Sequence, residues 1–246
     1  MKVINCIQGS AEWLDARLGN VTASKAACAI GFLKKGGETA ERAAYKAALV
    51  SEILTGRATE SYVSPYMQYG TETEEDARTA YELHNNVLVE TAGFGLHASI
   101  SRFGASPDGL VGKNGMVEFK CPKTETHIDY IFAGILPPKY EPQVMSELSV
   151  WERDWIDFMS FDKRMPRRHQ RFTMRVYRDE QRIAEIEAGV CLFLKDVDEM
   201  IERLNTLNPE PEQFQKQLRA SLEPEDGITT DDIAWITQRH AEQLSN

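Results

Sequence analysis

The run from Ser106 to Lys120 constrains the fold most. Ser106-Pro107-Asp108-Gly109-Leu110 and Glu118-Phe119-Lys120 flank Lys113-Asn114-Gly115, a turn-forming segment. The residues on either side predict two strands folded into a hairpin. Side chains alternate faces along a strand, so Val117 and Phe119 point one way and Glu118 and Lys120 the other. The apolar pair can enter a core while the polar pair meets a site. The hairpin also folds Asp108 back toward Glu118 and Lys120. Two carboxylates so placed can hold a hard cation such as magnesium beside a phosphate. Pro-Asp-Gly is also an ordinary turn, and Glu-x-Lys also describes a solvated strand face. Of the twelve lysines in the chain, Lys120 alone has an acid two residues before it.

Around this hairpin the sequence predicts helices first. Ser10 caps a short helix, Ala11 to Leu18, that Gly19 stops. A second helix begins near Thr22-Ala23-Ser24. Lys34-Lys35-Gly36-Gly37 is a loop, followed by a helix from Glu38 to Leu54 with Gly56 as its stop. Ser64-Pro65 opens another that runs to about Leu83 and ends at Asn85-Asn86. From Val87 to Lys120 short apolar and β-branched runs broken by glycine predict three or four strands. Helices follow near Thr124 to Ala133 and Tyr140 to Trp151, then strands Trp155 to Phe161 and Phe172 to Tyr177, then a long helix from Glu180 to about Leu204. Helices, a mainly consecutive sheet and helices again predict an α/β or α+β sandwich. Asn208-Pro209-Glu210-Pro211 reads as a linker, which divides the chain into a body, 1–207, and a helical extension, 208–246.

The chain has 246 residues with 42% hydrophobic content, enough for one large domain with an appendage. No apolar run approaches the roughly 20 residues that span a bilayer, and Met1 to Cys6 lack a signal-peptide core. Cys6, Cys28, Cys121 and Cys191 are widely spaced, so reduced thiols in a cytoplasmic setting are expected, with no disulfide framework or zinc site. The net charge of −10 argues against a protein that coats nucleic acid generically. It leaves room for a DNA enzyme whose basic residues are gathered on one surface. Lys163, Arg164, Arg167, Arg168, His169 and Arg171 form such a cluster, readable equally as a solvated loop before a strand.

Two further segments carry chemistry. In Gln8-Gly9-Ser10-Ala11-Glu12-Trp13-Leu14-Asp15-Ala16-Arg17 the arginine can simply complement the helix dipole. With Ser24 at the start of the next helix, it can instead contribute to a terminal-phosphate pocket. Gly70 to Arg78 is a very acidic turn of helix. It reads either as a solvated face with a Glu74–Arg78 pair or as one acid leaning into a metal site.

These pieces, in this order, resemble the phage lambda exonuclease family of the PD-(D/E)xK nuclease superfamily. The resemblance rests on Gln8 to Ser24, Gly70 to Arg78, Ser106 to Leu110, Glu118-Phe119-Lys120-Cys121-Pro122 and Gln143-Val144. It implies a restriction-endonuclease-like α/β core, a central mixed sheet flanked by helices, with a helical C-terminal tail. The implied activity is processive 5′→3′ digestion of one strand of double-stranded DNA from a 5′-phosphorylated end, leaving a 3′ overhang for single-strand annealing. It implies two Mg2+ ions, with Mn2+ as a substitute, held by Asp108, Glu118, the Phe119 carbonyl and Glu74, the register among Glu72, Glu74 and Glu75 being open. Lys120 and Gln143 match catalytic positions, and Arg17, Ser24 and Ser106 match the 5′-phosphate pocket. The family further implies a homotrimeric ring and a single-strand annealing protein as partner, with no membrane. One departure stands out: past Pro122 the family has a DNA-guiding arginine, whereas this chain has Lys123-Thr124-Glu125-Thr126-His127, which leaves Lys123 or His127 for that role. The competing readings are a site- or structure-specific endonuclease of the same superfamily and a non-catalytic DNA-end-binding adaptor. A Cas4-type iron–sulfur nuclease is disfavoured because clustered cysteines are absent.

Overall fold

The computed structural model describes residues 1–59 and 65–207. The chain divides into two units, Met1–Glu199 and Met200–Asn246, and the site lies in the first. The expected helical extension, 208–246, lies outside the described residues, as does Ser64.

The first unit begins with β1 (Lys2–Ile4), α1 (Ala11–Arg17) and β2 (Val21–Thr22). Ser10 caps α1 by accepting the Trp13 N–H at 3.2 Å. A 3₁₀ turn, Ala23–Lys25, then runs into the four-residue α2 (Ala26–Ala29). The helix expected near Thr22 is therefore about two turns long, the first of them 3₁₀. α3 (Ala40–Thr55) starts at the Thr39 cap and stops at Gly56, whose φ of +63° suits glycine. α4 (Pro65–Asn85) follows, and Asn86 turns the chain at φ +53°.

The stretch expected to give three or four strands gives five: β3 (Val89–Glu90), β4 (Phe94–Leu96), β5 (Phe103–Ala105), β6 (Gly109–Val111) and β7 (Gly115–Lys120). After α5 (Thr124–Ala133) and α6 (Glu141–Trp151) come β8 (Trp155–Phe161) and β9 (Arg171–Tyr177), then α7 (Glu180–Leu207). The strands form two sheets, ordered β1-β4-β5-β2 and β3-β6-β7-β8-β9. This mixed α/β arrangement matches the expected class. The strand Lys2–Ile4 was not anticipated, because three residues show too little alternation to signal a strand.

β7 lies at the centre of the five-stranded sheet, antiparallel to β6 and parallel to β8. One face is the expected core: Val117, Phe119, Met159 and Phe161 pack with Ala77 and Tyr81 of α4, and Tyr81 meets Phe119 edge-on at 6.0 Å. On this same face the Tyr81 hydroxyl donates to Asp157 Oδ2 at 2.7 Å, and Arg175 donates to both oxygens of that carboxylate at 2.8 and 2.9 Å. The other face is not open to water. Glu118 is 2% exposed, with Gln143 of α6 against it, and Phe158 there meets Tyr130 edge-on and Tyr140 at a tilt.

Candidate active site

The hairpin forms as expected, Gly109 opposite Val117, and this register sets Asp108 beside the far end of β7. Asp108 Oδ2 accepts the Phe119 N–H at 2.6 Å. Glu118 Oε1 accepts from Lys120 Nζ and from Gln143 Nε2 at 2.6 Å. Asp108, Glu118, Lys120, Phe119 and Gln143, named from the sequence, therefore converge.

Among the acids of α4, Glu74 is the one at this site. Its carboxyl is hydrogen-bonded to Asp108 and feels the charges of Glu118 and Lys120, and both it and Glu75 line a cavity of about 310 Å³ with Asp108, Arg78, Gln8 and Cys6. Glu72 instead bonds Gln68 at 2.9 Å on the surface, and Glu75 is 84% exposed. The expected Glu74–Arg78 pair is replaced. Arg78 approaches Glu75 at 4.0 Å and donates to the carbonyls of Asp108 at 2.5 Å and Val89 at 3.1 Å. Arg78 thus anchors the backbone that carries the first carboxylate.

The sequence reading overlooked Glu147. It is 1% exposed, one helical turn after Gln143, whose Nε2 donates to Glu147 Oε1 at 2.8 Å. The signal available was the i,i+4 spacing of Gln143 and Glu147 in a helix that also carries Val144, Met145, Leu148, Val150 and Trp151.

The electrostatics follow from crowding acids under α6. Burial, then the charges of Glu118 and Glu74, pushes the Asp108 carboxyl well above its usual range. Burial, then Glu118, does the same to Glu147 and raises Glu74. Burial would lower the Lys120 ammonium, but Glu118 and Asp108 overcome it and hold that pKa above its ordinary value. Glu118 Oε2 and Glu147 Oε2 are buried without a hydrogen-bond partner. Excess carboxylates and an orphaned oxygen are the donor chemistry a hard divalent cation completes. As the side chains stand, no three His, Cys, Asp or Glu among the described residues form a finished cation cage. Asp108 Oδ2 is turned to a backbone N–H, and Glu118 Oε1 to Lys120 and Gln143.

The three residues expected to hold an end phosphate are also brought to one neighbourhood. β2 runs parallel to β5 with Thr22 opposite Gly104, so Ser24 and Ser106 both lie two residues beyond that pair. Trp13 Nε1 donates to Ser106 Oγ at 2.9 Å, and the Arg17 guanidinium lies over the Trp13 ring at 4.1 Å. No carboxylate forms an ion pair with Arg17 among the described residues, and burial lowers its pKa. Ser24 Oγ lies 3.2 Å from Thr22 Oγ1. Gln8 Nε2 donates to the Pro107 carbonyl at 2.7 Å, so the Gln8–Arg17 segment braces the residues immediately before Asp108.

His127 does not serve as a DNA guide. It is 0% exposed, its Nδ1 is 2.7 Å from Ser160 Oγ and its Nε2–H is given to the His169 carbonyl at 2.8 Å. Lys123 stays exposed before α5. All four cysteines are free. Among the described residues no helix is long and apolar enough to cross a membrane.

The family model of the YqaJ-like viral recombinase domain matches residues 12–154. Among solved structures the chain is similar to LHK-Exo, an alkaline exonuclease from Laribacter hongkongensis. The identity is 41% over 80% of this chain and 97% of that one, with TM-scores of 0.75 for its complex with dAMP and 0.74 for a second structure. A phage-related exonuclease from Haemophilus somnus 129PT shares 18% identity over 75% of this chain and 96% of its own, with a TM-score of 0.59. That second likeness bears on the fold alone. No curated protein sequence matches the chain.

Proposed function

Because the chain belongs to the YqaJ-like viral recombinase family, we propose that it is a divalent-metal-dependent exonuclease that digests one strand of linear duplex DNA 5′→3′ from a phosphorylated end. One observation carries this reading. Trp13 joins Arg17 to Ser106, and Ser106 stands two residues before Asp108. A group that can seize a terminal phosphate is thereby tied, through the same short segment, to the carboxylates.

Each side chain has a part. Asp108, Glu118, Glu74 and the Phe119 carbonyl would hold Mg2+ or Mn2+. When bound, such cations neutralise charge on the scissile phosphate and make water a better nucleophile. The Lys120 ammonium faces that region and adds a fixed positive charge, or directs the attacking water. Gln143 fixes Glu118 and Glu147 relative to each other. Arg78 and the Phe119 N–H hold Asp108 from its carbonyl and its carboxylate. Arg17 offers a planar fork for the terminal phosphate, with Ser24 and Ser106 as hydroxyl donors. The dAMP complex of LHK-Exo supports nucleoside monophosphate as the released unit. A homotrimeric ring and a single-strand annealing partner complete the reading, and a monomeric mass by light scattering rejects the ring.

The test is digestion of linear duplex with 5′-phosphate or 5′-hydroxyl ends, and of closed circular duplex, with and without Mg2+. Expected is metal-dependent nucleotide release from linear DNA, faster from phosphorylated ends. Cleavage of the closed circle rejects end dependence, and metal-independent digestion rejects the cation role.

A further inference from the structure

The loop between β8 and β9 takes no part in that chemistry, yet it sits at the same end of the sheet. Lys120 pairs with Ser160 in the parallel register, so the chain leaves β8 at the level of the site. The loop carries Lys163, Arg164, Arg167, Arg168 and His169. It is fastened toward the site side. Arg164 Nη2 donates to the Pro122 carbonyl at 3.1 Å, two residues past Lys120. Lys163 pairs at 2.8 Å with Asp76, two residues past Glu74 on α4. The Arg164 guanidinium also lies over the Tyr69 ring at 4.5 Å.

The loop is built rather than loose. At its base Asp162, 0% exposed, accepts from Thr124 Oγ1 at 2.6 Å, Arg164 Nε at 2.7 Å and the Arg164 N–H at 3.0 Å. Gln170 Nε2 donates to the carbonyls of Lys163 and Met165, and buried His127 holds the His169 carbonyl. Of the nearby acids, Asp162 is engaged by Arg164 and Asp76 by Lys163, while the charges of Glu72 and Glu125 act on Lys163 and Arg164 at the base of the loop. Arg167 and Arg168 are exposed at the tip; Arg168 Nε donates to His169 Nε2 at 2.9 Å, and neither arginine forms an ion pair with an acid among the described residues. In a chain of net charge −10, a rigid, uncompensated basic tip beside the site calls for an anionic ligand.

We propose that this loop is a phosphate-contacting rim that grips the backbone of the duplex leading into the site. The proposal rests on the reading that the site digests DNA. Arginine forks bind phosphate oxygens without reading bases, so the contact is independent of sequence. A loop already ordered by its own hydrogen bonds loses little entropy on binding.

The test uses the full chain carrying both R167Q and R168Q. Binding of a labelled 5′-phosphorylated duplex is followed by fluorescence anisotropy in EDTA across a salt series, and thermal melting checks the fold. Each phosphate contact contributes about 0.9 to the slope of log K against log salt. The double variant is expected to lower that slope by roughly 1.8 with an unchanged melting temperature, whereas K195Q, on α7, leaves it as in wild type. Wild-type slope in the double variant, while wild-type protein still digests linear DNA, overturns the rim and spares the proposed function. An equal drop in K195Q also overturns it, since bulk charge then suffices. Failure of wild-type protein both to bind and to digest duplex overturns both readings.

Discussion

Glu147→Gln is expected to stabilise the protein at neutral pH in metal-free buffer. Glu147 is 1% exposed. Its Oε1 accepts from Gln143, and its Oε2 is buried without a partner. An unpaired buried acceptor costs about 1–3 kcal/mol. The introduced amide keeps the acceptor for Gln143 and offers an N–H toward Glu118. The expected gain is therefore about 1–3 kcal/mol, and a chain of this size gains roughly 2–4 °C in Tm per kcal/mol. The pH dependence has a definite sign. Burial and then Glu118 raise the Glu147 pKa well above 4.5 in the folded state. The native protein therefore keeps a proton that the unfolded chain releases between those two values. Stability from that proton is intact below the ordinary carboxylate range. It falls as pH rises through the window, by about 1.4 kcal/mol per pH unit. The variant has no such proton, so the two proteins converge in acid and separate as pH rises. Thermal melts from pH 4 to 8 in EDTA measure this. A variant that melts at or below wild type near pH 7.5, or a gap that does not widen with pH, refutes the reasoning.

Three other outcomes are expected. Lys120→Met, which keeps the stem and removes the charge, should slow digestion by about 10²-fold or more; digestion within a few-fold of wild type excludes Lys120 from the chemistry. Arg17→Ala should collapse the rate ratio between 5′-phosphorylated and 5′-hydroxyl ends toward one, and a preserved ratio removes Arg17 from the phosphate pocket. Tyr81→Phe deletes a buried hydrogen bond to Asp157 and should cost about 1.5–3 kcal/mol in urea unfolding, and a loss below 0.5 kcal/mol, as expected of a surface site, shows that Arg175 alone satisfies Asp157.

The legible parts of the site were those set by neighbours in sequence. The turn at Lys113-Asn114-Gly115 and the alternation of Val117, Glu118, Phe119 and Lys120 are local facts, and they returned Asp108 to the two polar residues of β7. Ser10 and Gly56 marked helix ends because capping needs only the adjacent backbone. Thr22-Ala23-Ser24 marked where helical backbone begins, but small residues permit a helix without fixing its length. Glu74 could not be told from Glu72 and Glu75, because helical spacing yields faces without saying which face meets the sheet. His127, held open as a DNA guide, proved to be a buried brace, because its partners Ser160 and His169 are more than thirty residues away.

By itself the sequence determined a hairpin bearing two acids and a lysine, with helices on either side. Period, turn chemistry and caps act over a few residues and are written in order along the chain. The tertiary structure decided the remainder. It buried Glu118 under α6 and set Glu147 against it. It turned Arg78 from its helix neighbour to the Asp108 carbonyl, and brought the β8–β9 loop to the same end of the sheet as Lys120. Burial and long-range hydrogen bonds depend on which surfaces meet, and surfaces meet only once the elements have packed.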